Sequence, residues 1–311
     1  MSKEYTIVRL SSDIIKDMAT LHSRVYSTSV SEEYFKKKYN TVYTGIENVG
    51  FLAYDKRNEP VAYYGVIPCF IRSGNELILA AQSADTMTHP QHRYKGMFVE
   101  LSNMTFDLCK SLNIRLVFGF PNQNSYHGAV TKLGWEETET MNLFTVPVKT
   151  LPLYSLCKKI KCARLYRWYK EFILKKMTVH EYGISNSVIK DGFAGVYRSG
   201  EYLMYKSYNP TKVLQIGDCK IWISSKQSLL IGDMEGVNEN NFDGVIRRLK
   251  SLAKRSGIRK LQFICCQDLN LNRLFASSFK GEKAFPVLFQ DLGSPVPLHK
   301  IKFVLADIDI F

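Results

Sequence analysis

Apolar residues recur at helical spacing in "SSDIIKDMATLHSRVYS" (11–27). Ile14, Ile15, Met18, Leu21 and Val25 fall on one face there, behind a serine cap. The same spacing runs through "MFVELSNMTFDLCKSL" (97–112), where Phe98, Leu101, Met104 or Phe106, and Leu108 return every three or four positions. Apolar runs bounded by polar turns predict strands in "GFLAYDKRNEPVAYYGVIPCF", two of them around "RNEP", and again in "ELILAAQSADTMT" and "IRLVFGF". "SVSEEYFKKKYN" and "SYHGAVTKLGW" read as short helices, and "MNLFTVPV" as a closing strand. Strands and helices therefore alternate over residues 1–149, the pattern of an α/β unit.

Between the strand ending at Thr88 and the helix that follows lies "HPQHRYKGMF" (89–98). A helix start presents unpaired N–H groups and a partial positive charge, both of which favour anions. Arg93 and Lys95 add formal charge, and Gly96 sits where the backbone must come close to something. The loop predicts a phosphate-bearing ligand.

The end of this pattern returns 144 residues later. "CKSLNIRLVFGFPNQNSYHGAVTKLGW" (109–135) aligns without gaps on "AKRSGIRKLQFICCQDLNLNRLFASSF" (253–279). Phe118 meets Gln262 and Trp135 meets Phe279, so the pattern persists where identity does not. The same register sets Val237, Glu239 and Asn240 against Arg93, Lys95 and Gly96. The second loop is acidic and lacks the glycine, so only the first half is expected to hold an anion. The expected division is 1–149, a basic connecting helix over 150–178, and a second unit over 179–311.

Composition narrows the partners. With 311 residues, 45% hydrophobic, the chain can bury the cores of two domains. A net charge of +13 suits a polyanion: a phosphorylated cofactor, a nucleotide-linked substrate, nucleic acid or an anionic membrane face. Seven irregularly spaced cysteines read as free thiols of a reducing compartment. "MSKEYTIVRLSSD" lacks the apolar core of a signal peptide, and no run reaches the roughly 18 apolar residues of a membrane span. A cytoplasmic protein is expected. The six histidines show no ligand spacing, so no metal is expected.

The loop and its surroundings resemble the GCN5-related N-acetyltransferase (GNAT) superfamily. Its signature, R/Q-x-x-G-x-G/A between a central strand and a helix, cradles the pyrophosphate of acetyl-CoA. Here it reads Arg93-Tyr94-Lys95-Gly96-Met97-Phe98, with Phe98 in place of the final small residue. "THP" matches the strand end whose backbone pairs with the pantetheine arm, which adds Met87 and Thr88. "NQNSYHGAVTKLGW" resembles the segment closing the family's second helix. Asn122 and Ser125 there would bond the pantetheine or acceptor, or serve as turn and cap residues.

The resemblance implies two tandem GNAT-like domains of α/β (α+β) class, each a mixed, mostly antiparallel central sheet flanked by helices. The first would be active and the second degenerate. It also implies acetyl-CoA as cosubstrate and a primary amine as acceptor, small or nucleotide-linked, amino sugars of bacterial surface polysaccharides among them. The tyrosine that often protonates the departing thiolate falls on Val130; Tyr126, one turn earlier on the same face, is the substitute, with His127 as an alternative. Asp85, the only acid in "AAQSADTMTHP", is either the base that neutralises the amine or a structural carboxylate. In one tandem branch, the enhanced-intracellular-survival type, the terminal carboxylate enters the active site. "FVLADIDIF", ending at Phe311, is such a return or a final edge strand.

Residues 156–177, "LCKKIKCARLYRWYKEFILKKM", carry eight basic side chains and one acid around an apolar stripe. Such a helix is either a docked linker or a contact for anionic lipid. Two alternatives to acetyl transfer stand beside it: an aminoacyl-tRNA-dependent transferase like the peptidoglycan interpeptide ligases, and a non-catalytic coenzyme A-binding protein. With the loop read as a coenzyme A site, no nucleic-acid partner is expected.

Overall fold

The computed structural model describes residues 4–225 and 227–311. Its chain forms two compact units: residues up to Thr138 with Pro286–Ile301, and Glu139–Phe285 with Lys302–Phe311.

In the first half, strand β1 (Thr6–Arg9) leads to helices α1 (Ile15–Tyr26) and α2 (Glu32–Tyr39), then to strands β2 (Val49–Tyr54), β3 (Pro60–Ser73) and β4 (Glu76–Thr88). Helix α3 (Met97–Ser111), strand β5 (Leu116–Gly119), helix α4 (Gln123–Leu133) and strand β6 (Glu136–Pro147) follow. Local chemistry accounts for the helix ends. Ser31 accepts a hydrogen bond from the Tyr34 N–H at 3.2 Å, capping α2. Glu32 and Glu33 open that helix and Lys36–Lys38 close it, which suits its dipole. Gly134 ends α4 in the left-handed conformation, and Trp135 turns into the core.

The second half begins with α5 (Leu153–Lys159), α6 (Ala163–Lys175), β7 (Thr178–Val179), α7 (Ser187–Lys190), β8 (Gly195–Val196) and α8 (Gly200–Lys206). A meander of β9 (Thr211–Ile216), β10 (Cys219–Ser225) and β11 (Leu229–Glu235) comes next. Helix α9 (Phe242–Arg255), β12 (Lys260–Cys265), α10 (Asn270–Ser278) and β13 (Gly281–Asp291) complete the set.

Each unit builds a mixed, mostly antiparallel sheet flanked by helices. The first runs β1-β2-β3-β4-β5-β13, parallel only at β4–β5. The second runs β7-β9-β10-β11-β12-β6, parallel only at β11–β12. In each, the strand after the parallel pair comes from elsewhere in the sequence. Start positions keep the spacing read above: β5 and β12 begin 144 residues apart, α3 and α9 145. The first core gathers Val49, Val66, Ala81, Leu101, Phe106 and Trp135 under α3 and α4. All seven cysteines are free; five are buried and Cys157 and Cys162 half-buried.

Two expectations change. The basic helix breaks in two, because Lys161 adopts a left-handed φ of 57° between α5 and α6. The apolar segment near Phe311 is not an edge strand but a 3-10 turn over Leu305–Asp307. Asp307 explains it: the Val304 N–H donates to its carboxylate at 3.0 Å, and Arg198 pairs with it at 2.8 Å and with Asp233 at 2.7 Å. Burying that carboxylate requires the turn that delivers it to Arg198. Beyond the turn, the Phe311 ring lies edge-on to Trp222 at 5.4 Å and fills the space over Gly232. Asn209 donates to the Phe311 main-chain oxygen at 2.9 Å. Phe311 is thus fixed in the core of the second unit.

That contact sets a coupling. Phe311→Ala should cost about 3–5 kcal/mol in urea denaturation, the range for emptying a buried phenylalanine site. Gly232→Ala alone should also destabilise, because its new methyl meets the ring. Combined with Phe311→Ala, it should add little or restore stability, a non-additivity that a double-mutant cycle reads directly.

Candidate active site

Strand β4 carries an irregularity near its end. Its pairing with β3 slips one register between Tyr63 and Gly65, so Asp85 and Thr86 together oppose Tyr64. Asp85 takes φ +51°, a left-handed conformation that aspartate tolerates better than most residues. Gly65, paired with Ala84 just before it, leaves room for the Tyr63 phenol, which a Cβ there would meet. Parallel pairing with β5 ends at Gln82–Phe118, although β4 continues to Thr88. The sheet's parallel seam therefore stops just before the bulge.

The Asp85 side chain is 17% exposed, and both of its bonds fall on Oδ2: Lys38 Nζ at 2.7 Å and the Tyr39 hydroxyl at 3.0 Å. Lys38 is buried. Burial first, then the charge of Asp85, holds the Tyr39 phenol well above its ordinary pKa, so it stays a donor. Tyr26 donates to the Thr86 carbonyl at 3.3 Å. The sequence predicts a short helix here without singling out Lys38 or Tyr39. A signal was present. Lys36 and Lys37 each pair with the glutamate four residues back, whereas Lys38 has Tyr34 there and needs a partner off the helix.

Past Thr88, a short 3-10 turn at Pro90–His92 leads into the loop. Arg93 Nε donates to the Thr88 carbonyl at 3.4 Å, which ties the loop back to the strand end. Tyr94, fully exposed, takes φ +64°, and Gly96 takes φ +82°. Gly96 is the N-cap of α3; it offers no side-chain cap, and nothing lies within 4 Å of where its Cβ would stand. No side chain caps the first-turn N–H groups of α3, and Arg93 and Lys95 are exposed in the loop just before them. Lys95 meets Glu4 at 3.2 Å and lies over the Tyr5 ring, and hydrogen bonding to Tyr5 and Glu4 raises its pKa. Tyr5 in turn shares a 2.9 Å hydrogen bond with His92 Nδ1. Met97 is buried, anchoring the helix start.

Phe98 turns inward, edge-on to Tyr64 at 6.1 Å, and abuts Gly128 of α4, whose Cβ would come within 3.0 Å of the ring. The bulky residue at the loop's end is accommodated by a missing side chain on the neighbouring helix. On α4, Asn122 is the N-cap: its Oδ1 accepts from the Asn124 and Ser125 N–H groups at 2.9 and 3.3 Å. The Ser125 hydroxyl turns back to the Asn122 carbonyl at 3.4 Å. Val130 packs against the core. Tyr126 donates to Glu137 at 2.5 Å, and this hydrogen bond raises its pKa. Met87 is buried and pairs with Tyr63; Thr88 pairs with Ala62.

The corresponding loop of the second unit is closed chemically. Asn238 Oδ1 accepts from the Asn240 N–H at 3.0 Å, and Asn241 Oδ1 from the Asn238 N–H at 2.9 Å. Asn241 Nδ2 then binds the Gly236 carbonyl at 2.9 Å. Asparagine side chains thus bond the Asn238 and Asn240 N–H groups ahead of α9, whose N-cap, Asn241, like Gly96 provides no side-chain cap.

Residues 6–138 match the model of an acetyltransferase (GNAT) domain. The chain carries a GNAT domain. Solved structures share its fold. A GCN5-related N-acetyltransferase from Kribbella flavida superposes at TM-score 0.60 and 10% identity, over 94% of this chain and 72% of that one. A probable N-acyltransferase from Enterococcus faecalis gives 0.59 and 12%, over 93% and 72%. A putative acetyltransferase from Pyrococcus horikoshii gives 0.53 and 14%, over 99% and 97%. At such identities the likeness is one of fold. No curated protein matches the chain in sequence. GNAT domains are N-acyltransferase domains, and the open helix start at Gly96 fits the anionic end of the acyl-CoA that they use. Among the described residues, no three His, Cys, Asp or Glu side chains gather to hold a metal ion, and no helix is long and apolar enough to cross a membrane.

The Lys38–Asp85 pair is testable on its own. Lys38→Met should lower stability by about 3–5 kcal/mol in urea, because it strands a largely buried carboxylate. Adding Asp85→Asn should return most of that loss. Equal destabilisation with and without Asp85→Asn would show that the pair is not coupled.

Proposed function

We propose that the first unit transfers an acetyl group from acetyl-CoA to a primary amine of a small or nucleotide-linked acceptor. The observation that carries this reading is the loop over 93–98, an uncapped helix start behind a glycine and flanked by exposed cations. In this reading Arg93 and Lys95 face the cofactor pyrophosphate, and the N–H groups of Gly96, Met97 and Phe98 donate to it beside Tyr94. Main-chain groups of Met87 and Thr88, beyond the end of pairing with β5, take the pantetheine arm. Asn122, through the Nδ2 that its cap does not use, and Ser125 line the same arm.

The cosubstrate brings the activated thioester; the chain must deliver an uncharged amine to it. Asp85 is assigned as the base through Oδ1, with Oδ2 fixed by Lys38 and Tyr39. Tyr126 is assigned as the donor to the departing thiolate, its proton retained beside Glu137. The charge of +13 suits a phosphate-bearing acceptor, such as a nucleotide-linked amino sugar of bacterial surface polysaccharide, met in the cytoplasm. The second unit, with its loop closed by asparagines, is read as a degenerate repeat. The open loop weighs against an aminoacyl-tRNA donor. A specific observation favours one other reading, a coenzyme A-binding protein without turnover: Val130 stands where the family has tyrosine, and Asp85 is already neutralised by Lys38.

Calorimetric titration with acetyl-CoA tests the loop. Wild type should bind in the micromolar range, and an Arg93→Ala, Gly96→Asp variant at least about tenfold more weakly. No binding by folded wild type overturns the assignment. Binding without turnover across a broad amine panel selects the non-catalytic reading. Once an acceptor is found, Tyr126→Phe should lower kcat by about a hundredfold. Glu137→Gln removes the contact that raises the Tyr126 pKa, so the alkaline limb of the kcat profile should move to lower pH.

A further inference from the structure

Of the sixteen large apolar side chains exposed among the described residues, seven fall between Leu151 and Phe172. This clustering is not a consequence of an undocked helix. Helix α6 is seated on the second unit by one face: Tyr166, Ile173 and Leu174 are buried, and the Tyr166 hydroxyl donates to the Ser256 carbonyl at 3.0 Å. Tyr169 and Lys170 reach the Arg255 and Ser225 carbonyls at 3.1 and 2.8 Å. A second apolar stripe then remains on the outside. Leu165, Trp168, Tyr169 and Phe172 stand at i, i+3, i+4 and i+7, one helical face. The Trp168 and Phe172 rings stack at 6.1 Å with 66% and 54% of those residues exposed. Leu156 and Ile160 extend the apolar surface along and beyond α5.

Exposed cations flank the stripe: Lys159, Lys161, Arg164, Arg167, Lys175 and Lys176. The segment's one acid, Glu171, pairs with Lys212 at 2.5 Å and does not offset them. A helix with one face docked, one face apolar and aromatic, and a basic flank matches the two zones of an anionic lipid surface. We propose that α5–α6 is an interfacial anchor that seats the second unit on an anionic bilayer. A second copy of the chain is a poor occupant, because two such faces would bring like charges together. Nucleic acid would satisfy the cations and leave Leu156, Ile160 and Leu165 in water. The anchor is independent of what the first unit transfers.

The protein carries its own reporter. Trp135 and Trp222 are buried, so Trp168 dominates any response of the indole emission to a surface. Full-length protein is mixed with vesicles of phosphatidylcholine alone, or with about one third phosphatidylglycerol, at about 0.1 M salt. Emission should shift to the blue and the protein should pellet with the anionic vesicles only. Leu165→Asn with Phe172→Asn keeps the reporter and should abolish both signals while circular dichroism is unchanged. Arg164→Gln and Arg167→Gln should each weaken partitioning about fivefold. Three outcomes overturn the proposal: wild type unshifted and in the supernatant, equal binding to neutral vesicles, or a response to oligonucleotide with none to vesicles. So does a lipid-free dimer in sedimentation velocity whose formation blue-shifts Trp168.

Discussion

A carboxylate set at a left-handed position inside a central strand needs a counter-charge, and Lys38 supplies it. Much of the first unit's site follows from that pair. The bulge at Asp85 re-aims the end of β4 at the point where its partnership with β5 has already stopped. Lys38 and Tyr39 hold the carboxylate from α2, so that helix is tied to the strand that leads into the 93–98 loop. Tyr63 fills the space that Gly65 leaves, which closes the bulge from the β3 side. The strand then runs only three residues further, to Thr88, before Arg93 folds back on it.

What the sequence revealed and concealed divides along physical lines. Helices α1 to α4 were legible because their apolar positions step at helical spacing and because Ser31, Asn122 and Gly134 are cap residues by chemistry. The 93–98 loop was legible because glycine, helix start and cations coincide within six residues. The Lys38–Asp85 pair was not, since 47 residues separate its members and only the fold brings them together. Neither the bulge nor the placement of β13 beside β5 has a local signature; both depend on which strand pairs with which. The turn near Phe311 was misread as a strand for a related reason. Its alternation is genuine, but a buried arginine claims Asp307 and overrides it.

Charge and apolarity also do separate work along the chain. The cations of the first unit that matter here, Arg93 and Lys95, precede an uncapped helix start, a donor-rich setting for a compact anion. Those of α5–α6 border an exposed stripe of aromatic and aliphatic side chains. The same net positive composition therefore supports two kinds of anionic partner, distinguished by what lies between the charges. Composition alone could not separate them.

The two units also differ at equivalent points of their sheets, and in the same direction each time. Strand β11 slips by one register at Gly232, three residues before its end, as β4 does at Asp85. In the first unit that position carries a carboxylate with one oxygen outside its pairing with Lys38 and Tyr39. In the second it carries a glycine, and the Phe311 ring occupies the space. The following loop repeats the contrast: a glycine with two cations before it in the first unit, and in the second an acidic stretch whose Asn238 and Asn240 N–H groups are bonded by asparagine side chains. A bulge filled by an aromatic ring has no room for an acceptor amine, and a loop without the glycine and the two cations offers less to a pyrophosphate. The proposal that only the first unit is catalytic thus rests on two independent differences. Each removes from the second unit something the reaction would need.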